Sequence, residues 1–439
     1  MKRKRIIAIA LALVMCLPSI AFANSQTMNE YDALTSNDEA NPVRVAISKN
    51  LQLPVGTPTP ETVFSFEAKG ISVDGDTSDM VVNNMPNLNV NMVIPFTSTD
   101  TGAPLESDAD IISIVNESGN IFANIDFEKP GIYVYEITEV QATSNGIEDN
   151  APYERVTFSK AVYTMSVYVT WNAARTGTYI YGVGTAVTVP DASGEQTINK
   201  KVDATPGGDG NRYRHSQMIF TNNYVKTNAP VDPDNPDPVN ESTLFVKKEV
   251  TGNMGIFTQY FDFELTLTLP VIMEEKPNSY RAYIVEGNTV IDPTENAPSV
   301  LTATDGGGTF ILVSTQGPTK FKLKDNQRLV FVDTPVGTRY TVSEDIAAGY
   351  IQTVQVTTNA ISLGTISREE GLALSTGSQL IGDKLNSAVF TNNRESAAPM
   401  GIDMNNLPFI GLILLTIGAL AGFVVVKSRR RKHVAEQVI

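Results

Sequence analysis

The sequence predicts an all-β protein: two tandem immunoglobulin-like β-sandwich domains, flanked by an N-terminal signal peptide and one C-terminal transmembrane helix. Three observations carry this prediction. Short segments that alternate apolar and polar residues recur between Gly- and Asn-rich turns, both ends of the chain are apolar beside a block of cations, and one order of residues is repeated on either side of a Pro/Asp-rich segment.

At the N-terminus Met1-Lys2-Arg3-Lys4-Arg5 is followed by an apolar run to Leu17 and then by small residues at Ala21 and Ala23. A basic start, a short apolar run and small residues before the cut define a secretory signal, 1–23, cleaved between Ala23 and Asn24. The apolar run is too short to span a bilayer. Cys16, the one cysteine, lies within it, so the mature chain has no thiol and no disulfide to stabilise it. Residues 24–41 are polar and read as a disordered N-terminus.

The middle of the chain has the texture of half-buried strands. Gly131-Ile132-Tyr133-Val134-Tyr135-Glu136-Ile137-Thr138, Tyr163 to Trp171 and Val354-Gln355-Val356-Thr357 alternate with β-branched and aromatic enrichment. Asp74-Gly75, Asn145-Gly146 and Asp305-Gly306-Gly307-Gly308 supply turns. Short strands with such turns, and no long helical period, indicate sandwiches. Lys226 to Ser242 is rich in Pro, Asp and Asn, which predicts an extended, solvated linker, 226–242, between a first domain at 42–225 and a second at 243–396. The remainder, 397–439, contains an uncharged apolar stretch, 407–426, long enough to cross a bilayer. Lys427, Arg429, Arg430, Arg431 and Lys432 follow it, so the tail is expected in the cytoplasm and everything before Leu407 outside.

Composition restricts the chemistry. The formal net charge is -15, and without the flanking cations and Glu436 the exported part stands near −23, which argues against nucleic acid as a partner. Two histidines and one cysteine leave little for a His/Cys metal centre, a Ser-His-Asp triad or a Cys-His pair. No metal and no cofactor is expected. Acids are scattered without the recognisable pair that a glycosidase needs, so the chain is expected not to be an enzyme.

The repeat is the most informative feature. The first half opens with Val45-Ala46-Ile47-Ser48-Lys49, continues with Val63-Phe64-Ser65-Phe66 and Pro130-Gly131 to Thr138-Glu139, and closes with Ile219-Phe220-Thr221-Asn222-Asn223. The second opens with Leu244-Phe245-Val246-Lys247-Lys248, continues with Phe261-Asp262-Phe263-Glu264-Leu265 and Pro335-Val336-Gly337 to Ser343-Glu344, and closes with Val389-Phe390-Thr391-Asn392-Asn393. Twice the order is Lys on a first strand, Glu ending a middle strand, Asn on a last strand. Alternation places Lys49 with Val45 and Ile47, and Lys248 with Leu244 and Val246, on inward faces. A lysine amine in a dry core is held neutral and nucleophilic, and a carboxyl beside it is held protonated. Such a pair can join the amine to an Asn side chain with loss of ammonia, needing only enforced proximity.

On these segments, with Ser48-Lys49-Asn50-Leu51, Phe127 to Tyr135, Tyr168-Val169-Thr170-Trp171-Asn172 and Phe390-Thr391-Asn392 among the closest matches, the chain resembles the Gram-positive pilins that carry intramolecular isopeptide bonds, in particular streptococcal two-domain major pilins. The resemblance covers about Val45 to Gly401. It implies that Lys49 bonds Asn222 with Glu139 assisting, and that Lys248 bonds Asn392 with Glu344 assisting; Glu136 is the nearby competitor to Glu139. It further implies autocatalytic, single-turnover bond formation, a structural role at the cell surface in attachment, a wall or membrane anchor, and sortase and other pilus or wall components as partners. The alternative is an unpolymerised membrane-anchored adhesin with a host or environmental ligand. The chain departs from the family in two places. Ala398-Pro399-Met400-Gly401 has Met400 where the sorting signal has Thr, and no lysine lies between Lys201 and Asn222, where such pilins present one; His215 is nearest that place, with Lys200 and Lys201 upstream.

Overall fold

The computed structural model describes residues 43–147, 153–191, 197–207, 214–227, 232, 234–395 and 407–435. The expected cleavage site at Ala23 and Asn24 and the sorting-like Pro399, Met400 and Gly401 lie outside them.

The first half contains β1 (Ser48–Pro54), β2 (Thr62–Val73), β3 (Val93–Phe96), β4 (Ala103–Pro104), β5 (Ile111–Glu117), β6 (Gly131–Thr143), β7 (Glu154–Thr157), β8 (Val162–Trp171), β9 (Thr178–Val189), β10 (Lys201–Val202) and β11 (Ile219–Lys226). They form a sheet in the order β4-β5-β1-β11-β7 and a second in the order β10-β9-β8-β6-β2-β3. The alternating aromatic and β-branched residues behave as the period of two requires. Tyr133, Tyr135 and Ile137 of β6 and Tyr163, Met165 and Val167 of β8 are buried in one core with Phe64 and Phe66 of β2 and Phe220 and Tyr224 of β11.

The second half contains β12 (Leu244–Thr251), β13 (Phe261–Thr268), β14 (Ser279–Glu286), β15 (Thr289–Ile291), β16 (Thr302–Asp305), β17 (Gly308–Ser314), β18 (Thr319–Leu323), β19 (Gln327–Phe331), β20 (Arg339–Glu344), β21 (Ile351–Thr358), β22 (Ile361–Ser367), β23 (Leu374–Ser375), β24 (Gln379–Leu380) and β25 (Ser387–Asn393). One sheet runs β16-β17-β14-β19-β12-β25-β21-β22 with β15 beside β14, and the other runs β18-β13-β20-β23 with β24 beside β20. Phe261, Phe263, Leu265 and Leu267 alternate inward along β13 and meet Leu244, Val246, Tyr340, Val342 and Phe390 in a second core.

In both halves the first strand pairs in parallel with the last. Lys49 stands opposite Phe220 and Leu51 opposite Asn222; Lys248 stands opposite Phe390 and Val250 opposite Asn392. The Asn is therefore two residues beyond the partner of the Lys each time, on the same face of the same sheet.

The segment expected to be a solvated linker is not free of the fold. Lys226 ends β11, its carbonyl accepts the Val336 N–H at 2.9 Å, and Thr227 bridges Pro335. Pro236 and Pro238 are buried, and Val239 packs on the second half. Proline rings are apolar and bring no N–H that burial would orphan, so they can seat against a sheet at little cost. The two halves also meet through Arg339 with Asp110, Arg155 with Glu275, and Lys226 with Asp383. Gly337, at φ 85°, lies so close to Pro54 that a Cβ there would stand 2.1 Å from the proline Cβ.

One helix, α2 (Leu407–Ala435), follows; the short α1 (Asp79–Val82) lies in the first half. Phe409–Arg429 is long and apolar enough to cross a membrane. The helix does not stop at 426, the end of the expected apolar span, but runs to Ala435. Lys and Arg are good helix formers and favourable at a helix C-terminus, so the cationic block prolongs it.

Candidate functional site

Each half buries one Lys, one Glu and one Asn at the same place between its two sheets. In the first, Lys49 Nζ lies 2.6 Å from Glu139 Oε1, and both side chains are 0 % exposed. Asn222 Nδ2 donates to the same oxygen at 2.8 Å. Lys49 and Asn222 come from adjacent strands of one sheet, and Glu139 reaches them from β6 of the facing sheet. Glu136, the competitor, is on the opposite face of β6: it pairs with Lys69, whereas Glu139 pairs with Phe66.

In the second half, Lys248 Nζ lies 2.9 Å from Glu344 Oε1, again with both side chains 0 % exposed. Asn392 Nδ2 donates to that oxygen at 2.8 Å, and Lys248 Nζ is 3.4 Å from the Phe390 carbonyl. Glu344 arrives from β20 of the facing sheet, opposite Phe263. All six residues singled out in the sequence are thus brought together as two trios.

The surroundings are apolar. The Phe64 ring centroid lies 4.9 Å from Lys49 Nζ, and the Phe261 centroid 4.6 Å from Lys248 Nζ. Both phenylalanines sit two residues before the one that pairs with the Glu, so the aromatic lid repeats with the trio. Its sequence signal is the repeated Phe-x-Phe, Phe64-Ser65-Phe66 and Phe261-Asp262-Phe263. Burial outweighs the attraction of the neighbouring carboxylate and brings each lysine from its ordinary 10.5 to about 8. Burial likewise raises the Glu139 carboxyl above the usual range, against the pull of Lys49. In the first site the two shifts together favour neutral amine beside neutral acid.

The two sites differ in their remaining donors. In the first, the Ser159 N–H points at both Glu139 Oε2 (3.0 Å) and Asn222 Oδ1 (2.7 Å). Ser159 Oγ donates to Asp191 Oδ2 at 2.6 Å, and the same carboxylate oxygen accepts the Thr221 N–H at 2.9 Å. In the second, Glu344 Oε2 and Asn392 Oδ1 are buried without a hydrogen-bond partner. Nothing in the second half repeats Ser159 and Asp191, so the internal repeat gives no sign of them. Among the described residues no group of His, Cys, Asp and Glu could hold a metal ion.

Residues 242–394 match a family described as a domain of unknown function (DUF7601). Among curated proteins, a pilin from Streptococcus pyogenes serotype M1 is 25 % identical over 412 residues, 91 % of this chain and 96 % of that protein. Among solved structures, the major pilin from Streptococcus pyogenes is 21 % identical and covers 81 % of this chain and 100 % of its own, with a TM-score of 0.31. A pilus-presented adhesin is 16 % identical over 54 % of this chain and 37 % of its own, with a TM-score of 0.22. The sequence match, rather than these superpositions, carries the comparison: along nearly its whole length the chain is similar to a streptococcal pilin.

Proposed function

We propose that the chain is a surface rod or stalk subunit stapled by two intramolecular isopeptide bonds, Lys49–Asn222 promoted by Glu139 and Lys248–Asn392 promoted by Glu344, one in each of the domains 42–225 and 243–396. The observation that carries this is the occurrence, twice, of a fully buried Lys within 2.6 and 2.9 Å of a Glu that also accepts from an Asn amide. Neutral Nζ attacks the Asn side-chain carbon, the carboxyl gives its proton to the departing Nδ2, and the new N–H⁺ returns a proton to the carboxylate. One C–N bond forms, one breaks, ammonia leaves, and the Glu ends as it began. Each site turns over once. The apolar walls exclude the water that would compete, and the strand register supplies proximity.

α2 is the membrane segment in this reading, with the cationic block cytoplasmic and Pro399-Met400-Gly401 the place where a sortase would act to join the chain to wall or pilus components. The test is a peptide map with intact mass of the full-length chain. Each bond removes about 17 Da and leaves a branched peptide joining Lys49 to Asn222 or Lys248 to Asn392. Unlinked peptides at both sites would remove the proposal.

A further inference from the structure

The donor that the first site has and the second lacks is aimed at the atom on which charge develops. When Lys49 Nζ adds to the Asn222 side chain, the carbonyl π electrons move onto Oδ1. That oxygen already accepts the Ser159 backbone N–H at 2.7 Å. A backbone N–H can only donate, so this contact fixes which end of the Asn222 amide is which: oxygen toward Ser159, Nδ2 toward Glu139. The leaving nitrogen then faces the proton source and the developing oxyanion faces a donor, as the reaction requires. We infer that the Ser159 N–H is a one-donor oxyanion hole for the Lys49–Asn222 reaction, and that Asp191 is its positioning residue.

Asp191 ties the two sides of the hole together. Its Oδ2 accepts Ser159 Oγ–H and the N–H of Thr221, the residue before Asn222, while Ser159 Oγ accepts the Ala161 N–H at 3.1 Å. The loop carrying the donor and the strand carrying the acceptor are therefore held by one buried carboxylate. In the second site Asn392 Oδ1 meets no donor, and Glu344 must act without one. The inference rests on the isopeptide reading and adds to it a rate device confined to the first domain.

The experiment follows bond formation in newly synthesised full-length chain by acid quench and peptide mapping, scoring both bonds in the same molecules. In Asp191→Ala and in Ser159→Val the Lys49–Asn222 bond is expected to form roughly tenfold to hundredfold more slowly, with the Lys248–Asn392 bond keeping its wild-type rate. Asp191→Asn, which retains an acceptor oxygen, and Ser159→Thr, which retains the hydroxyl, restore most of the rate. Should Asp191→Ala leave the first domain unfolded, the Ser159→Val and Ser159→Thr pair decides. A first-site rate unchanged in the Val variant, or slowed equally in the Thr variant, overturns the inference while leaving the isopeptide reading intact. A wild-type chain without either bond removes both.

Discussion

Lys248→Met isolates what the second bond contributes. The side chain is 0 % exposed and lies under the Phe261 ring, and methionine fills nearly the same volume while removing the amine, so no cavity is left. Glu344 keeps Asn392 as a donor. The bond would close a loop of about 145 residues, which in the chain-entropy treatment stabilises by about 5 kcal/mol. For a domain of this size that corresponds to a fall in Tm of roughly 10–20 °C. Scanning calorimetry of the full chain reads it, with the transition of the first domain as internal reference. A second-domain transition within about 3 °C of the wild type, in protein shown by peptide mapping to lack the bond, would refute the claim that the cross-link carries this stability.

Three further outcomes are expected. Glu139→Ala and Glu344→Ala each abolish only their own bond, so that each variant is about 17 Da heavier than its substitution predicts and its domain is more readily cleaved by protease; unchanged mass in both removes the assigned roles. In Asn222→Ala, where Lys49 stays unreacted, the folded amine titrates near 8 and the unfolded one at 10.5. The unfolded chain then binds the extra proton between these values, so stability rises with pH across that window by about 3 kcal/mol; a denaturant series showing no such rise relative to Lys49→Met/Asn222→Ala contradicts the burial argument. Gly337→Ala forces a Cβ to within 2.1 Å of Pro54 at a positive φ, and small-angle scattering should record separation of the halves, with the Arg339–Asp110 pair, partly exposed and worth about 1 kcal/mol or less, unable to hold them; an unaltered profile refutes the contact.

The trios were legible because two copies of one pattern fix each other. A single buried Lys in β1 would not have been: Val45 to Lys49 are all buried, so alternation there carries no information. Alternation returns only within β1, where Lys49, Leu51 and Leu53 are buried and Asn50 and Gln52 are half-buried. Glu139 was separable from Glu136 only by its matching position to Glu344, and the period of two then puts it inward. Ser159 and Asp191 stand just outside β8 and β9 and are set by tertiary placement alone. The Pro/Asp-rich segment misled because composition reports its charge, whereas Pro236 and Pro238 are seated by shape.

The parallel pairing of first and last strands has a consequence for length. With both bonds formed, tension entering before Lys49 crosses to Asn222, passes through the segment that leads to Lys248, crosses to Asn392 and leaves toward α2. The loops between Lys49 and Asn222 and between Lys248 and Asn392 would extend about 600 and 500 Å if drawn out, and none of that contour is available to a pull on the ends. The strands within them can exchange residues, lengthen their loops or lose local order without changing how far the chain can be stretched.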